Sequence, residues 1–341
     1  MGSHPSPVVI GHRGASGYRP EHTAAAYELA FALGADAVEP DIVATRDGVL
    51  VIRHENEIST TTDVADHPEF ADRRATKTVD GVELTGWFTE DFTWAELSGL
   101  RATERLGPLR QASSTFGGLY PILRLADLFE IADAASALAD RPIGIVAEIK
   151  HPSYFAGIGL PLDELFAAEV KESGWDQDML TVECFEKTVL SQVHARGIHS
   201  ERVYLVEASG APYDRVASAG SAAVEYAHDV TERGLYELAS APPVERVNGV
   251  SVNTSMLFET DATGAAIGVT GLVDDAHSAG LGVFCWTLRA ENRFLAPNFR
   301  RGERDADYGD WRSQFGLLLS SGVDGVFADQ PDLAVAVRDG R

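Results

Sequence analysis

Residues 8–14 read Val-Val-Ile-Gly-His-Arg-Gly, a short β-branched run that ends in a histidine and an arginine. A helical pattern ending near Gly34 comes next, followed by a second apolar run. This alternation continues for most of the chain and is typical of parallel α/β architecture. It predicts a (β/α)8 TIM barrel, with a doubly wound sheet as the alternative. The strand candidates are Val8–Gly11, Ala37–Val43, Val49–Arg53, Ile143–Ile149, Leu180–Phe185, Val203–Val206, Val250–Asn253, Gly282–Leu288 and Asp324–Ala328.

Two of these candidates lie too close together for the usual helical crossover between parallel strands. Only a short connector with the turn signal Arg46-Asp47-Gly48 separates Ala37–Val43 from Val49–Arg53. Because about seven or eight extended residues span the height of a barrel, both runs could point the same way without a helix. A barrel has eight strand positions, so one candidate is expected to be extra.

The regular pattern is interrupted at the start of the chain and at two places within it. Residues 1–7, which begin Met-Gly-Ser-His, are interpreted as a cloning tail. Residues 57–118 show little periodicity and are predicted to form a small capping insertion at the barrel mouth. The barrel itself is then expected to comprise residues 8–56 and 119–338. A second irregular stretch, residues 290–310, predicts a loop on the same or the opposite face.

The composition narrows the class of partner. The chain has 341 residues, a formal net charge of -24 and a pI near 4.7, so it should repel nucleic acid and anionic membrane surfaces. A small phosphate compound could still bind if a metal ion or arginines reverse the local field. No apolar run approaches the roughly 18 residues of a transmembrane helix. Cys184 and Cys285 are expected to be buried free thiols.

Histidines follow two of the strand candidates. His12 ends the first apolar run, and His54 follows Val51-Ile52-Arg53. Barrel enzymes place catalytic groups at the carboxyl ends of strands. Because an imidazole titrates near neutral pH, two such histidines could serve as general acid and general base. A plain surface loop carrying His12 and Arg13, and a structural role for either histidine, are the alternatives.

Carboxylates occur on the same candidate strands. Glu39 and Asp41 leave the same face of one strand, and Glu148 stands near the end of another. Such carboxylates repel unless a cation lies between them, and oxygen ligands favour Ca²⁺ or Mg²⁺ over zinc. An exposed edge with solvated acids is the alternative. Lys150 could bind a phosphate oxygen or form a salt bridge with neighbouring acids.

These residues belong to an ordered set of motifs that resembles the glycerophosphodiester phosphodiesterase family, over nearly the whole chain. Further segments, Cys184-Phe185 and Gly325–Asp332 among them, are similar to its bacterial periplasmic or secreted branch. The resemblance implies a capped barrel that hydrolyses glycerophosphodiesters to sn-glycerol 3-phosphate and an alcohol. The matching motifs are His12-Arg13, Pro20-Glu21-His22-Thr23, Glu39-Pro40-Asp41, His54 and Glu148-Ile149-Lys150.

The same resemblance implies roles for single residues. One divalent cation, Ca²⁺ in the first place and Mg²⁺ in the second, would be bound by Glu39, Asp41 and Glu148. His12 and His54 would be the catalytic acid and base. Arg13 and Lys150 would contact the phosphate, and Glu21 would orient Arg13 or the glycerol end of the substrate. Phe185 and Trp286 would form walls of the glycerol pocket, although these two aromatics could equally be plain core.

Two positions depart from the family pattern. Many relatives have aspartate after the second histidine, whereas Glu55 stands here and is expected to orient His54 less tightly. Leu288-Arg289 follows Trp286-Thr287 where an asparagine is common, which leaves substrate contacts from that loop open.

Several readings of the function and its setting stay open on the sequence. The chemistry could proceed through attack by the glycerol 2-hydroxyl and a cyclic phosphate, or through direct attack by water. The alternatives to the proposed activity are a barrel phospholipase of the sphingomyelinase D kind, a hydrolase of teichoic-acid glycerophosphate, and a barrel that binds glycerophosphodiesters without turnover. We expect a monomer or homodimer without stable membrane insertion. Resemblance favours secretion or the periplasm, with the cytoplasm as the alternative. The sequence begins without a signal-peptide pattern, but this says little about the compartment because the start is interpreted as a cloning tail.

Overall fold

A computed structural model describes residues 6–341 of the protein, so most of the predicted tail, residues 1–5, lies outside the described residues. Within residues 6–341, short strands alternate with helices. The strands are β1 (Val8–His12), β2 (Ala37–Glu39), β3 (Asp41–Ala44), β4 (Leu50–Ile52), β5 (Ala75–Val79), β6 (Val82–Gly86), β7 (Gly144–Ile149), β8 (Leu180–Cys184), β9 (Glu201–Val206), β10 (Gly249–Asn253), β11 (Phe258–Thr260), β12 (Ala266–Val269), β13 (Gly282–Leu288) and β14 (Gly325–Ala328).

The helices surround the sheet and mostly follow its strands. They are α1 (Ala24–Ala32), α2 (Trp94–Leu97), α3 (Gln111–Ser114), α4 (Leu125–Ala139), α5 (Pro152–Gly157), α6 (Leu162–Ser173), α7 (Lys187–Ala195), α8 (Tyr213–Ala219), α9 (Tyr226–Asp229), α10 (Glu232–Ser240), α11 (Leu272–Ala279), α12 (Trp311–Ser320) and α13 (Pro331–Arg338). Gly174 and Gly280 end α6 and α11 in the left-handed conformation, where a residue without Cβ carries no steric penalty.

The sheet closes into the predicted (β/α)8 barrel. Its parallel strands follow the order β1, β2, β7, β8, β9, β10, β13 and β14, and β14 pairs back onto β1. β3 continues β2 beyond Pro40, which has no N–H to donate to the ladder, and both segments pair with β7. The doubly wound sheet is therefore excluded.

The strand candidate at residues 49–53 is the extra one, and it does not run parallel to its predecessor, which the sequence had allowed. β4 pairs antiparallel with β3, with Ile42 opposite Ile52 and Ala44 opposite Leu50. The five-residue connection closes with the Thr45 amide donating to the Val49 carbonyl, because antiparallel neighbours need only a tight turn. This hairpin returns the chain to the barrel, so that the Arg53 amide donates to the Asp41 carbonyl and His54 reaches the barrel mouth.

Residues 57–118 contain short 3₁₀ turns, α2, α3 and the β5–β6 hairpin, whose two strands pair only with each other. Asp80 and Gly81 form the two-residue turn of this hairpin, and both have positive φ angles, as such turns require. Asp80 and Val82 line the large cavity described below. The tip of this segment therefore lies at the carboxyl ends of the barrel strands.

The remaining features concern the core and the second irregular stretch. Both cysteines are buried free thiols, as predicted. Among residues 6–341, no helix combines the length and apolar character needed to cross a bilayer. Residues 290–310 form 3₁₀ turns after the carboxyl end of β13, and Phe294 lines the same cavity, so this loop lies on the same face as the β5–β6 hairpin.

Candidate functional site

The carboxyl ends of the barrel strands surround a cavity of about 770 Å³. This volume is typical of sites for small molecules, and barrel enzymes use this end of the strands. Asp41 and Glu21 are buried behind its wall. The other predicted site residues all line it: His12, Arg13, Glu39, His54, Glu148, Lys150, Phe185 and Trp286.

Three buried carboxylates converge in this cavity. Glu39, Glu148 and Glu183 each offer an oxygen, and these oxygens all lie within 4.8 Å of one another. Glu148 on β7 pairs in register with Glu183 on β8, so their side chains leave the same face of the sheet. Glu183 was not among the predicted ligands, although an acid inside the apolar run of residues 180–184 was a signal for it.

The electrostatics of this cluster fit a divalent cation. Burial and neighbouring carboxylates raise the pKa of Glu39 and Glu183 well above their usual range and that of Glu148 to about 8. Glu39 Oε1, Asp41 Oδ1 and Glu183 Oε2 are buried without a hydrogen-bond partner. A hard cation would accept these oxygens as ligands and remove the mutual repulsion. The residues present therefore could hold such an ion.

Asp41 has a different environment from the other acids. Its Oδ2 lies 2.9 Å from His22 Nε2 and 3.2 Å from Arg13 Nε. Its Oδ1 lies 3.8 Å from Lys150 Nζ. Lys150, His54 and Arg13 outweigh burial and hold the pKa of Asp41 well below its usual range. Asp41 thus stays ionised, and its role as a metal ligand through the free Oδ1 remains a prediction.

His12 is held from behind by a second acid. Its Nδ1 lies 2.6 Å from Asp329 Oδ1, and Arg110 and Arg289 both donate to the other oxygen of that carboxylate. Burial and the charge of Arg13 lower the pKa of His12 to about 4, although Asp329 acts in the opposite direction. Neutral His12 therefore donates through Nδ1 and keeps Nε2 available as a base. Asp329 was not predicted as a site residue.

His54 stands beside Glu55 on the side of the cavity that faces the insertion. Its Nδ1 lies 2.9 Å from Glu55 Oε1 but has no partner with hydrogen-bond geometry. The second oxygen, Oε2, lies 2.8 Å from His151 Nε2, and His151 Nδ1 lies 2.5 Å from Asp80 Oδ2. Burial and the charges of Arg13 and Lys150 lower the pKa of His54 to about 3. Both predicted catalytic histidines are thus neutral near pH 7 in this structure.

Two cations line the cavity between the histidines and the acids. Arg13 NH1 donates to Glu21 Oε2 at 3.0 Å, so Glu21 is placed to orient Arg13 as expected. Lys150 Nζ donates to Glu148 Oε1 at 2.9 Å, which is the salt-bridge alternative considered for this lysine. A contact of either cation with phosphate remains a prediction.

Aromatic side chains form one wall of the cavity. The rings of Phe185 and Trp286 meet edge to face with centroids 5.7 Å apart, and Tyr226 packs against Phe185 in the same manner. The Trp286 indole N–H donates to the Ser251 carbonyl. Arg289, the departure noted in this loop, is turned towards Asp329 and stacks on Phe294.

The flanking acids of His151 give a testable pH dependence of stability. Burial opposes its protonation, but the hydrogen bonds that its ring N–H groups donate to Asp80 and Glu55 raise the pKa of His151 to about 9 from 6.5. Because this pKa is raised on folding, the stabilisation is complete below about pH 6.5 and disappears as the pH rises through about 9. Urea unfolding at about pH 6 should therefore show a larger loss of stability in His151→Gln than unfolding at about pH 10.

A matched control for this prediction is His199→Gln. His199 is exposed just before β9, at the opposite end of the barrel. Its substitution should change the free energy of unfolding by a similar small amount at both pH values. An equal loss in His151→Gln at the two pH values would contradict the assigned protonation.

Comparison with known proteins places this site in a family. Residues 12–333 match the model of the glycerophosphoryl diester phosphodiesterase family. A glycerophosphodiester phosphodiesterase of Arabidopsis thaliana is 32% identical over 338 residues, covering 95% of this chain and 83% of its own length. One from Haemophilus influenzae is 26% identical over 346 residues, covering 96% and 88%.

Solved structures share the fold. A putative glycerophosphoryl diester phosphodiesterase from Silicibacter pomeroyi superposes with a TM-score of 0.66 at 21% identity, covering 99% of this chain and 95% of its own. An Oleispira antarctica phosphodiesterase in complex with the product sn-glycerol-3-phosphate gives 0.59 at 22% identity, covering 98% and 97%. With a family match over nearly its whole length and a relative that is 32% identical, this chain belongs to the glycerophosphoryl diester phosphodiesterase family.

Proposed function

We propose that the protein hydrolyses glycerophosphodiesters, such as glycerophosphocholine, glycerophosphoethanolamine and glycerophosphoglycerol, to sn-glycerol 3-phosphate and an alcohol. His12 and His54 would be the acid and base beside one divalent cation. The observation that supports this most is that both histidines and a three-carboxylate cluster line one cavity at the barrel's carboxyl end. The product bound to the Oleispira relative is consistent with this substrate class.

The cation site would be built from acids on neighbouring strands. Glu39 and Glu148 supply ligands in this proposal, with Asp41 as predicted and Glu183 as a further carboxylate. All-oxygen ligands favour Ca²⁺, with Mg²⁺ as the second choice because it demands stricter octahedral geometry. When bound, the ion would neutralise phosphate charge and increase the acidity of a nearby hydroxyl. The positive charge of the ion would also offset, within the cavity, the strongly negative charge of the chain.

The histidines would divide the proton transfers between them. Burial and the charge of Arg13 lower the pKa of both imidazoles, so both are neutral in the free site and either can accept a proton from the attacking hydroxyl. An anionic substrate offsets these positive charges, which favours a protonated imidazole facing the leaving alcohol. Arg13 would stabilise the charge that grows on the non-bridging oxygens.

The attacking hydroxyl is either the glycerol 2-hydroxyl, with a cyclic phosphate that water then opens, or water itself. We propose the first route. A substrate analogue without the 2-hydroxyl separates the two, because unchanged turnover of that analogue would exclude attack by the hydroxyl.

The competing functions need different features. A membrane phospholipase of the sphingomyelinase D kind must meet a lipid surface, and a net charge of -24 opposes an anionic one. Teichoic-acid glycerophosphate repeats the same diester and remains a second candidate substrate. A barrel that only binds would not need both histidines beside the acids.

The deciding experiment is the release of sn-glycerol 3-phosphate from glycerophosphocholine, measured with and without a chelator and after adding back Ca²⁺, Mg²⁺ or Mn²⁺. We expect release that the chelator stops and a divalent ion restores. No release with any of these ions would favour the binding barrel.

The setting of the activity is part of the proposal. Residues 57–118 are proposed to form a cap, since Asp80 and Val82 of the β5–β6 hairpin line the cavity. The protein would act as a monomer or homodimer on a soluble substrate, outside the cytoplasm.

A further inference from the structure

His151 connects the insertion to the proposed catalytic site. It follows Lys150 directly, and its side chain is only 16% exposed. One ring nitrogen contacts Asp80 at the tip of the β5–β6 hairpin, and the other contacts Glu55. Both ring nitrogens of His151 therefore have a carboxylate partner, and the two carboxylates come from separate segments of the chain.

The backbone at His151 is held in an uncommon conformation. Its φ of 51° and ψ of 41° lie in the left-handed region, and Pro152 starts α5 immediately afterwards. Histidine enters this region at a cost, which the surrounding contacts must offset. The conformation turns the side chain from the end of β7 towards the hairpin rather than along the strand.

Glu55 joins His151 to His54. Its Oε2 faces His151 Nε2 at 2.8 Å while its Oε1 faces His54 Nδ1 at 2.9 Å. One carboxylate thus lies between two imidazoles, with a hydrogen bond to His151 and a close contact with His54 that lacks hydrogen-bond geometry, so fixing one of its oxygens limits where the other can lie. The replacement of aspartate by glutamate, which was expected to orient His54 less tightly, brings a partner that restrains the longer side chain.

We propose that His151 is a positioning residue, which holds the carboxylate of Glu55 against His54 Nδ1 and is itself held by Asp80 of the insertion. This inference rests on the proposed function of His54 as acid or base. Glu55 beside Nδ1 favours the tautomer that carries its proton there, and Nε2 is left as the reacting nitrogen. In this proposal His151 does not orient the substrate itself, and its effect on the reaction passes through Glu55.

Two amide substitutions separate this role from a structural one. The amide nitrogen of glutamine reaches the place of a histidine Nε2, whereas that of asparagine reaches the place of Nδ1. His151→Gln therefore keeps a donor to Glu55, and His151→Asn keeps only a donor to Asp80. Asparagine tolerates the left-handed backbone better, so a purely structural role predicts that His151→Asn is the milder change.

We expect the reverse order for turnover of glycerophosphocholine. His151→Ala and His151→Asn should lower kcat about tenfold or more, with KM changed less than about twofold, as for loss of a supporting contact to a reacting group. His151→Gln should stay within about threefold of the parent. Equal or greater activity in His151→Asn than in His151→Gln would overturn the proposal.

A spectroscopic measurement keeps the test independent of the proposed reaction. The side-chain ¹⁵N shifts of His54, assigned with His54→Ala, should show the Nδ1–H tautomer in the parent protein and in His151→Gln. In His151→Ala and His151→Asn they should move towards a mixture of tautomers. An unchanged His54 spectrum in His151→Ala would overturn the positioning role, whatever the activity.

The two proposals fail in different ways. If the parent protein releases no sn-glycerol 3-phosphate with any divalent ion, the proposed function fails, and the ¹⁵N comparison alone decides whether His151 sets the state of His54. If turnover is present but only the spectrum responds to His151, the geometry of Glu55 does not limit the reaction, and the positioning role is refuted. His199→Ala is the matched control and should change neither measurement.

Discussion

Replacement of His12 or His54 by alanine is expected to lower kcat for glycerophosphocholine by about 10³-fold. Each imidazole is proposed to move one proton in the transition state, and such transfers contribute about 10² to 10⁴ in rate. Neither side chain belongs to the carboxylate cluster, so Ca²⁺ should bind both variants with nearly the parent affinity. Initial rates combined with calorimetric titration of Ca²⁺ measure the two effects separately.

The control for this pair is His199→Ala, since His199 is exposed at the amino end of the barrel. Its turnover should match that of the parent. Activity within tenfold of the parent in either His12→Ala or His54→Ala would refute the assignment of that histidine as acid or base.

Replacement of Glu39 or Glu148 by glutamine is expected to weaken Ca²⁺ binding by about 100-fold. Substitution of residues that only hydrogen-bond to a metal ligand already costs about 10-fold to 100-fold in affinity, and loss of a ligand's charge should cost at least as much. The amide removes a negative charge from a site where buried carboxylates converge. Titration of metal-free protein with Ca²⁺ gives the affinity without reference to turnover. Glu39→Gln should also be more stable than the parent in the absence of metal, because it removes a carboxyl whose pKa burial and neighbouring carboxylates raise well above its usual range.

Glu183→Gln and Asp41→Asn extend this experiment to the two carboxylates whose roles differ between sequence and structure. If both are ligands, both substitutions weaken binding. Glu172→Gln on the exposed face of α6 is the matched control and should leave the affinity unchanged. Parent affinity in Glu39→Gln and Glu148→Gln would contradict the proposed cation site.

Much of this arrangement was predictable because it depends on local pattern. Alternating strands and helices favour a barrel over a doubly wound sheet without excluding the sheet, and residues at the carboxyl ends of the parallel strands of a barrel meet at one end of it. His12, Glu39 and Glu148 come together for this reason. His54 was also predicted near them, but through a parallel strand, whereas an antiparallel hairpin brings it there.

The residues that were missed depend on register and on contacts that no short motif records. Glu183 joins the acids because β8 pairs with β7 in one specific register. Asp329 reaches His12 across 317 positions because β14 closes the barrel beside β1. The contact of His151 with Asp80 forms only because the β5–β6 hairpin folds against the end of β7. Periodicity within a segment carries no information on such pairings.

Because β1 and β14 close the barrel, the contact between His12 and Asp329 can form only late in the synthesis of the chain. His12 leaves the ribosome early, whereas Asp329, which holds its ring, is synthesised more than three hundred residues later. The nascent chain therefore carries a histidine that lacks its orienting acid until translation has passed β14. Proteolytic loss of the segment after β13 would likewise remove the acid that contacts the proposed catalytic imidazole, so cleavage there should abolish turnover as well as lower stability.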